Sequence, residues 1–346
     1  MSDQGWVEPL DLATGPAAFH LLDSGAGLPF QGGPAAFSMA RLIDEGGADR
    51  GVVAAPRVPE GWAAALARVT RAPPAFAGLP TDRPSVMGII NVTPDSFSGD
   101  GLAGSAESAV ARGRAMLEAG ADLLDIGGES TRPGAEPVPP DEETRRVLPV
   151  VRALAAAGAP VSIDTRNAAT MRAALDAGAR IVNDISALRH DPAAMALVAE
   201  RGAPVVLMHM LGLDPRAMQR EPRYADAALE VAGFLRGRVE AAERAGVPRA
   251  MVAVDPGLGF GKTAEHNLSL VQRLPLLAGL GCRVLLGASR KRSLGVISGE
   301  AAAGLRVAPS VAAALCGAAR GAAIVRVHDV AETVQALRVW NALSGR

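Results

Sequence analysis

From residue 85 onward the apolar residues recur in one rhythm. An Ala-rich stretch with helical spacing is followed by a glycine suited to a left-handed helix C-cap, then by a short run of Val, Ile or Leu. The punctuating glycines are Gly120, Gly158, Gly178, Gly202, Gly246, Gly281 and Gly321. The runs after them are Leu123-Leu124-Asp125-Ile126, Val161-Ser162-Ile163-Asp164, Ile181-Val182-Asn183-Asp184, Val205-Val206-Leu207-Met208-His209, Val252-Ala253-Val254-Asp255, Val284-Leu285-Leu286-Gly287 and Ile324-Val325-Arg326. They are too short for helices and too continuously apolar for half-exposed strands, so they read as parallel strands buried on both faces. With the run from Met87 to Asn91 they make eight. Eight βα units in a row, each long enough for a right-handed crossover, predict a closed (β/α)8 TIM barrel over residues 85–346 rather than an open doubly wound sheet.

Residues 1–84 do not share this rhythm. They are rich in Ala, Gly and Pro, with short apolar pieces such as Ala35-Ala36-Phe37-Ser38-Met39 and a helical pattern near Trp62 to Val69. They read as a small N-terminal domain or extension ending in a Pro-rich link, Ala72-Pro73-Pro74 through Arg83-Pro84, with no catalytic constellation.

The polar residues of the repeat fall in corresponding places. Asn91, Asp125, Asp164, Asn183, His209, Asp255, Ser289 and Arg326 stand at or just past the C-terminal ends of the strands, the face where barrel enzymes build their sites. A single Asp or Asn there is explained by a cap or a hydrogen-bonded strand end. Eight together point to a ligand, because each buried polar group left unpaired costs about 1–3 kcal/mol. His209, between Met208 and Met210, reads equally as a satisfied, partly buried histidine or as a ligand-binding one.

The loops after the strands add candidate chemistry. Beyond Asn91, Pro94, Asp95, Ser96 and Ser98 form a polar surface loop. In Asp125-Ile-Gly-Gly-Glu-Ser-Thr-Arg-Pro-Gly134, Thr131, Arg132 and Pro133 combine a hydroxyl, a guanidinium fork and a stiff turn, suited to gripping an anion or closing over a site. Asp255-Pro-Gly-Leu-Gly-Phe-Gly-Lys-Thr263 invites a nucleotide reading that fails on spacing. A Walker loop needs glycine where Pro256 stands, and a dinucleotide fingerprint needs it where Lys262 stands. Its glycines instead let backbone approach a ligand closely, with Phe260 offering a face for stacking. Ser289-Arg290-Lys291 follows strand seven, and Arg326-Val327-His328-Asp329 follows strand eight beside a helix start, the usual anion pocket of this fold; Arg326 and His328 are expected to add positive charge there.

Composition narrows the partners. Of 346 residues, 35 are basic and 36 acidic, with no basic run or aromatic ladder, which argues against nucleic acid. No apolar stretch is long enough to span a bilayer, and the first thirty residues lack a basic start and hydrophobic core, so a cytoplasmic location is expected. Cys282 and Cys316, without metal or redox spacing, are expected to be small buried hydrophobes in a reducing compartment.

Taken together, Gly-Ile-Ile-Asn-Val-Thr-Pro-Asp-Ser-Phe-Ser, Asp-Ile-Gly-Gly-Glu-Ser-Thr-Arg-Pro-Gly, Ser-Ile-Asp-Thr-Arg, Val-Asn-Asp-Ile-Ser, Leu-Met-His-Met, the Asp255 motif, Gly-Ala-Ser-Arg-Lys and Arg-Val-His-Asp-Val, in this order, give residues 84–340 a close resemblance to the dihydropteroate synthase family of pterin-binding barrels. The resemblance implies a transferase that joins 4-aminobenzoate to 6-hydroxymethyl-7,8-dihydropterin diphosphate and releases diphosphate, working as a homodimer. It implies that Asp164, Asn183, Met208, Asp255 and Lys291 hold the pterin, that Asn91, Arg326 and His328 hold the diphosphate with Mg²⁺ bridging to Asn91, and that Thr131, Arg132, Pro133, Phe260 and Ser289 form the aminobenzoate pocket. Asp125, Asp255, Lys291, Arg326 and His328 are the implied catalytic set. A pterin-binding methyltransferase on the same barrel, or a catalytically silent pterin-binding paralogue, are the alternatives. The first loop departs from the family's wording at Ser98-Gly99-Asp100-Gly101, which leaves the role of Asp100 open.

Overall fold

A computed structural model describes residues 5–92, 106–130, 136–214, 218 and 222–345. Residues 131–133 and the 94–101 loop, Asp100 included, lie outside the described set.

The N-terminal residues form an antiparallel sheet of four strands, β1 (Trp6–Ala13), β2 (Leu28–Pro29), β3 (Ala36–Ile43) and β4 (Asp49–Ala54), with β3 pairing to each of the others. A helix at Ala63–Thr70 covers it, where the sequence pattern places one. Val7, Phe30, Phe37, Ala40 and Leu42 give the sheet its own small core. The sheet docks on the barrel through β1: Trp6 lies between the Arg236 guanidinium, 3.5 Å from its ring centre, and the backbone at Gly279. Beside it the almost fully buried Glu8 takes a bidentate pair from Arg273 at 2.7 and 2.9 Å.

The next eight strands are β5 (Ser85–Asn91), β6 (Leu123–Gly127), β7 (Val161–Asp164), β8 (Ile181–Asp184), β9 (Val205–Met208), β10 (Val252–Asp255), β11 (Arg283–Leu286) and β12 (Ala322–Val327). All pair in parallel and close into a barrel, β12 joining β5. This is the (β/α)8 fold that the repeat predicts, and each of its seven punctuating glycines has positive φ.

A strand's side chains alternate between its two faces, and the clusters show where each face goes. Val86, Ile90, Leu124, Ile126, Val161, Ile163, Val182, Leu207, Val254 and Leu286 face outward into the layer shared with the helices. Met87, Leu123, Ile181, Val206, Ala253, Leu285 and Ile324 face inward and close the lower barrel. Phe76, from the Pro-rich link, joins this inner cluster and is 2% exposed. The inward positions one pleat further along, Asp125, Asn183, Met208, Asp255, Gly287 and Arg326, are therefore the floor of the open C-terminal mouth. Among the described residues no helix is long and apolar enough to cross a membrane.

Candidate functional site

Arg326, inward on β12, is the hub of the mouth. Its Nε donates to Asp125 Oδ2 at 2.6 Å and its Nη2 to Asp164 Oδ2 at 2.7 Å. Asn183 Nδ2 donates to the same Asp125 oxygen at 2.9 Å. β6, β7, β8 and β12 thus deliver one network. The other Asp125 oxygen, Oδ1, is buried with no partner among the described residues. An orphaned acceptor at the floor of an open mouth costs about 1–3 kcal/mol, which a ligand N–H would recover. Burial pushes the Asp164 carboxyl above the usual carboxylate range although the Arg326 charge opposes it. The two carboxylates in turn hold the guanidinium firmly protonated.

On the far side of the mouth, Asp255 Oδ1 accepts from the Gly257 N–H at 2.7 Å. Its Oδ2 faces β11, where Gly287 has no side chain: a Cβ there would lie 3.7 Å from Asp255 Oδ2 and 4.0 Å from Arg326 Cβ. That missing side chain leaves a slot between the Asp255 carboxylate and the base of the Arg326 side chain. The Lys291 ammonium lies 4.4 Å from the centre of the Phe260 ring, a cation–π contact. Burial lowers its pKa to about 8, with Asp255 opposing the shift. Asp255 itself is raised by burial. Met208 packs with Ile185, Met210 and Met218 as an apolar wall, against which Phe260 rests.

The pocket after β11 and β12 differs from expectation in its charge. Burial and the surrounding Arg326, Arg290, Arg112 and Lys291 hold His328 down to about 3, so at neutral pH it offers a neutral ring and the arginines supply the charge. Ser289, assigned by resemblance to the aminobenzoate side, is tied to this histidine: its Oγ lies 3.0 Å from His328 Nδ1 and accepts from the His328 backbone N–H at 3.1 Å. Arg290 pairs with Asp329 through both Nε and Nη2.

Two sequence expectations, for His209 and for Cys316, shift for reasons of geometry. His209, the residue after inward Met208, turns outward, its ring edge-on to Phe234 at 4.8 Å, and takes no place in the mouth. Cys282 is buried and Cys316 is exposed, because Cys316 lies off the Ser310, Ala314, Gly317 face on which its helix packs. Asn91 is half-buried at the tip of β5, in register with Gly127, which is in register with Asp164. Among the described residues no three His, Cys, Asp or Glu side chains are grouped to hold a metal. The Asn91 amide oxygen would be one donor to a cation there, with ligand oxygens and water completing the shell, a donor set that suits Mg²⁺ on phosphates.

Lys262 is a residue the sequence reading passed over. It is 4% exposed, in hydrogen-bond contact with His209, Gly257 and Phe260. Sequence spacing excluded it from a phosphate loop; the signal it did carry was a lone lysine ending a glycine-rich run.

Comparison with known proteins gives a consistent result. The family described as pterin binding enzyme matches residues 87–328. The chain is similar to the dihydropteroate synthase of Neisseria meningitidis serogroup B, 48% identical over 267 residues, which are 76% of this chain and 93% of that protein. Among solved structures it is similar to the Xanthomonas albilineans dihydropteroate synthase with 4-aminobenzoic acid, at a TM-score of 0.72 and 52% identity, covering 77% of this chain and 94% of that one. The same enzyme in complex with 7,8-dihydropteroate matches at a TM-score of 0.71 and 49% identity, covering 78% and 96%.

Proposed function

The chain belongs to the pterin-binding enzyme family, on its dihydropteroate synthase branch, and on that premise we propose how its mouth condenses 4-aminobenzoate with 6-hydroxymethyl-7,8-dihydropterin diphosphate. The observation that carries the reading is the slot above Gly287. It is bounded by Asp255, Arg326 and the Asp125–Asp164–Asn183 network, whose carboxylates, Asp125 with an unpartnered oxygen among them, are acceptors matched to the N–H edge of a flat, amide-like ring. Asp164, Asn183, Asp255 and Lys291 hold that ring, with Met208 as its apolar wall.

The reaction breaks the C–O bond to diphosphate and forms a C–N bond to the arylamine, which then gives up a proton. The arylamine is already neutral at pH 7, so no strong general base is required. Charge must be drawn onto the leaving group, and Arg326 with the neutral His328 ring does this from the β12 side. Asn91 would hold Mg²⁺, which would neutralise diphosphate oxygens. Asp125 and Asp255, both below the slot, stabilise positive charge that develops on the pterin methylene. Phe260 and Lys291 form one wall of the aminobenzoate pocket, the ring stacking and the ammonium facing negative charge. Ser289 borders it from the His328 side, and the resemblance adds Thr131, Arg132 and Pro133.

Two further readings go with this one. The free thiols Cys282 and Cys316 favour a reducing compartment, the cytoplasm. Val296, Ile297, Leu305, Val339 and Leu343, on the last βα units, are large exposed apolar side chains of the kind that a second copy of the chain would cover. The deciding measurement is steady-state turnover with both substrates and Mg²⁺. Dihydropteroate is expected, a sulfonamide should compete with 4-aminobenzoate, and Lys291→Ala should lose about a hundredfold or more in kcat/KM. No product from the unmodified protein would leave a pterin-binding module without catalysis.

A further inference from the structure

The loop after β10, residues 256–262, carries three glycines with positive φ, Gly257 at 67°, Gly259 at 79° and Gly261 at 72°. Glycine reaches these angles without strain but loses the most backbone freedom on folding, so such a turn keeps a single shape only where tertiary contacts impose it. The shape matters here because the turn holds Phe260 beneath Lys291.

One side chain supplies most of the constraint. Lys262 folds back into the turn that precedes it, its Nζ 2.8 Å from His209 Nδ1, 2.9 Å from the Gly257 carbonyl oxygen and 3.1 Å from that of Phe260. The three N–H bonds of an ammonium match these three acceptors, leaving none to spare. The His209 carbonyl oxygen, at 3.4 Å, lies against the same cage. His209 is itself packed against Phe234 and Tyr224, so Lys262 fastens a pliant turn to a rigid strand end. The approach is close: a Cβ on Gly257 would stand 2.0 Å from the His209 carbonyl oxygen. Smaller ties assist, Asn267 accepting from the Gly259 N–H at 2.8 Å and Tyr224 donating to the Gly261 carbonyl at 3.0 Å. Among the described residues no carboxylate touches the buried ammonium, and burial brings its pKa down to about 7. An apolar side chain of the same length would fill this space without that desolvation cost, so simple packing does not explain a lysine.

We propose that Lys262 is a positioning residue for the arylamine half of the reaction: by joining the Gly257 and Phe260 carbonyls to His209 it fixes the turn that sets Phe260 under Lys291. The assignment rests on the reading of Phe260 and Lys291 as one wall of the aminobenzoate pocket. The turn meets the pterin-holding groups only at Asp255, through the Gly257 N–H, and at Lys291, over Phe260, and leaves the Asp125–Asp164–Asn183–Arg326 network alone, so breaking the cage should weaken the 4-aminobenzoate side more than the pterin side.

The test is Lys262→Met in the full-length protein, with KM for 4-aminobenzoate and kcat measured at saturating dihydropterin diphosphate, and the affinity for the pterin substrate measured separately by calorimetry. Removing the ammonium leaves His209 Nδ1 and the Phe260 carbonyl without it and the Gly257 carbonyl with only the Phe260 N–H, and a loss of 1.4 kcal/mol is tenfold, so KM for 4-aminobenzoate is expected to rise about tenfold or more while pterin affinity falls by markedly less. Should Lys262→Met fail to fold, His209→Phe removes one acceptor and keeps the ring against Phe234, and the same split between substrates is expected. A folded variant with unchanged KM for 4-aminobenzoate, or with equal losses for both substrates, overturns the proposal. Absence of turnover in the unmodified protein would instead overturn the underlying reading of the pocket.

Discussion

Gly287 and Lys291 stand four residues apart after the same strand and do opposite things, one by having no side chain and one by burying a charge. A leucine at Gly287 would fill the slot between Asp255 and Arg326. Glycine there needs no positive φ, so Gly287→Leu should fold and lose pterin binding by more than about tenfold, as calorimetry beside circular dichroism would show; normal affinity would mean the ring sits elsewhere. Lys291 makes a pH prediction whose sign follows from its lowered pKa. The ammonium is complete at pH 6 and lost as pH rises through about 8, so kcat/KM should fall on the alkaline side near that value. Lys291→Arg, which stays protonated, should keep residual activity without that limb. On the acid side, the raised carboxyls of Asp164 and Asp255 predict a fall that begins above the ordinary carboxylate range.

At the scale of strands, the site is a consequence of pleating. Several barrel strands change from apolar to polar on their inner face as they rise, which is why Leu123 and Asp125, Ile181 and Asn183, Ala253 and Asp255, or Ile324 and Arg326 are neighbours of one face with different work. Stability belongs to the lower layer and chemistry to the upper. Phe76 fills the lower layer from the link. Phe76→Ala should therefore cost about 3–5 kcal/mol in urea unfolding while leaving KM for both substrates unchanged; altered KM would show that the two layers are coupled.

For the molecule as a whole, the N-terminal sheet is joined to the barrel wall by Trp6, Glu8 and the backbone of Pro73 and Pro74, both bonded by Arg283, on elements that stand away from the mouth. The last helix also carries Val339 and Leu343, both exposed and apolar. If a second copy covers it, Leu343→Glu, at a side chain 79% exposed, should leave the monomer folded and shift sedimentation to half the mass. An unchanged sedimentation coefficient would place the contact elsewhere.

The sequence by itself determined the barrel, its eight strands and most of its mouth, because burial on both faces demands continuous apolar runs and a crossover helix must end in a turn that only glycine enters freely. Those are local constraints, and they leave local marks. What only the tertiary structure decided is the partnership of residues brought together from distant strands: that Arg326 is shared by Asp125 and Asp164, that Met208 rather than His209 faces the mouth, that burial and neighbouring cations hold His328 in its neutral form. It also decided that Lys262, whose motif looked like a failed phosphate loop, closes on the turn before it. Such pairings depend on pleat phase, barrel closure and desolvation, none of which is a property of any short stretch of chain.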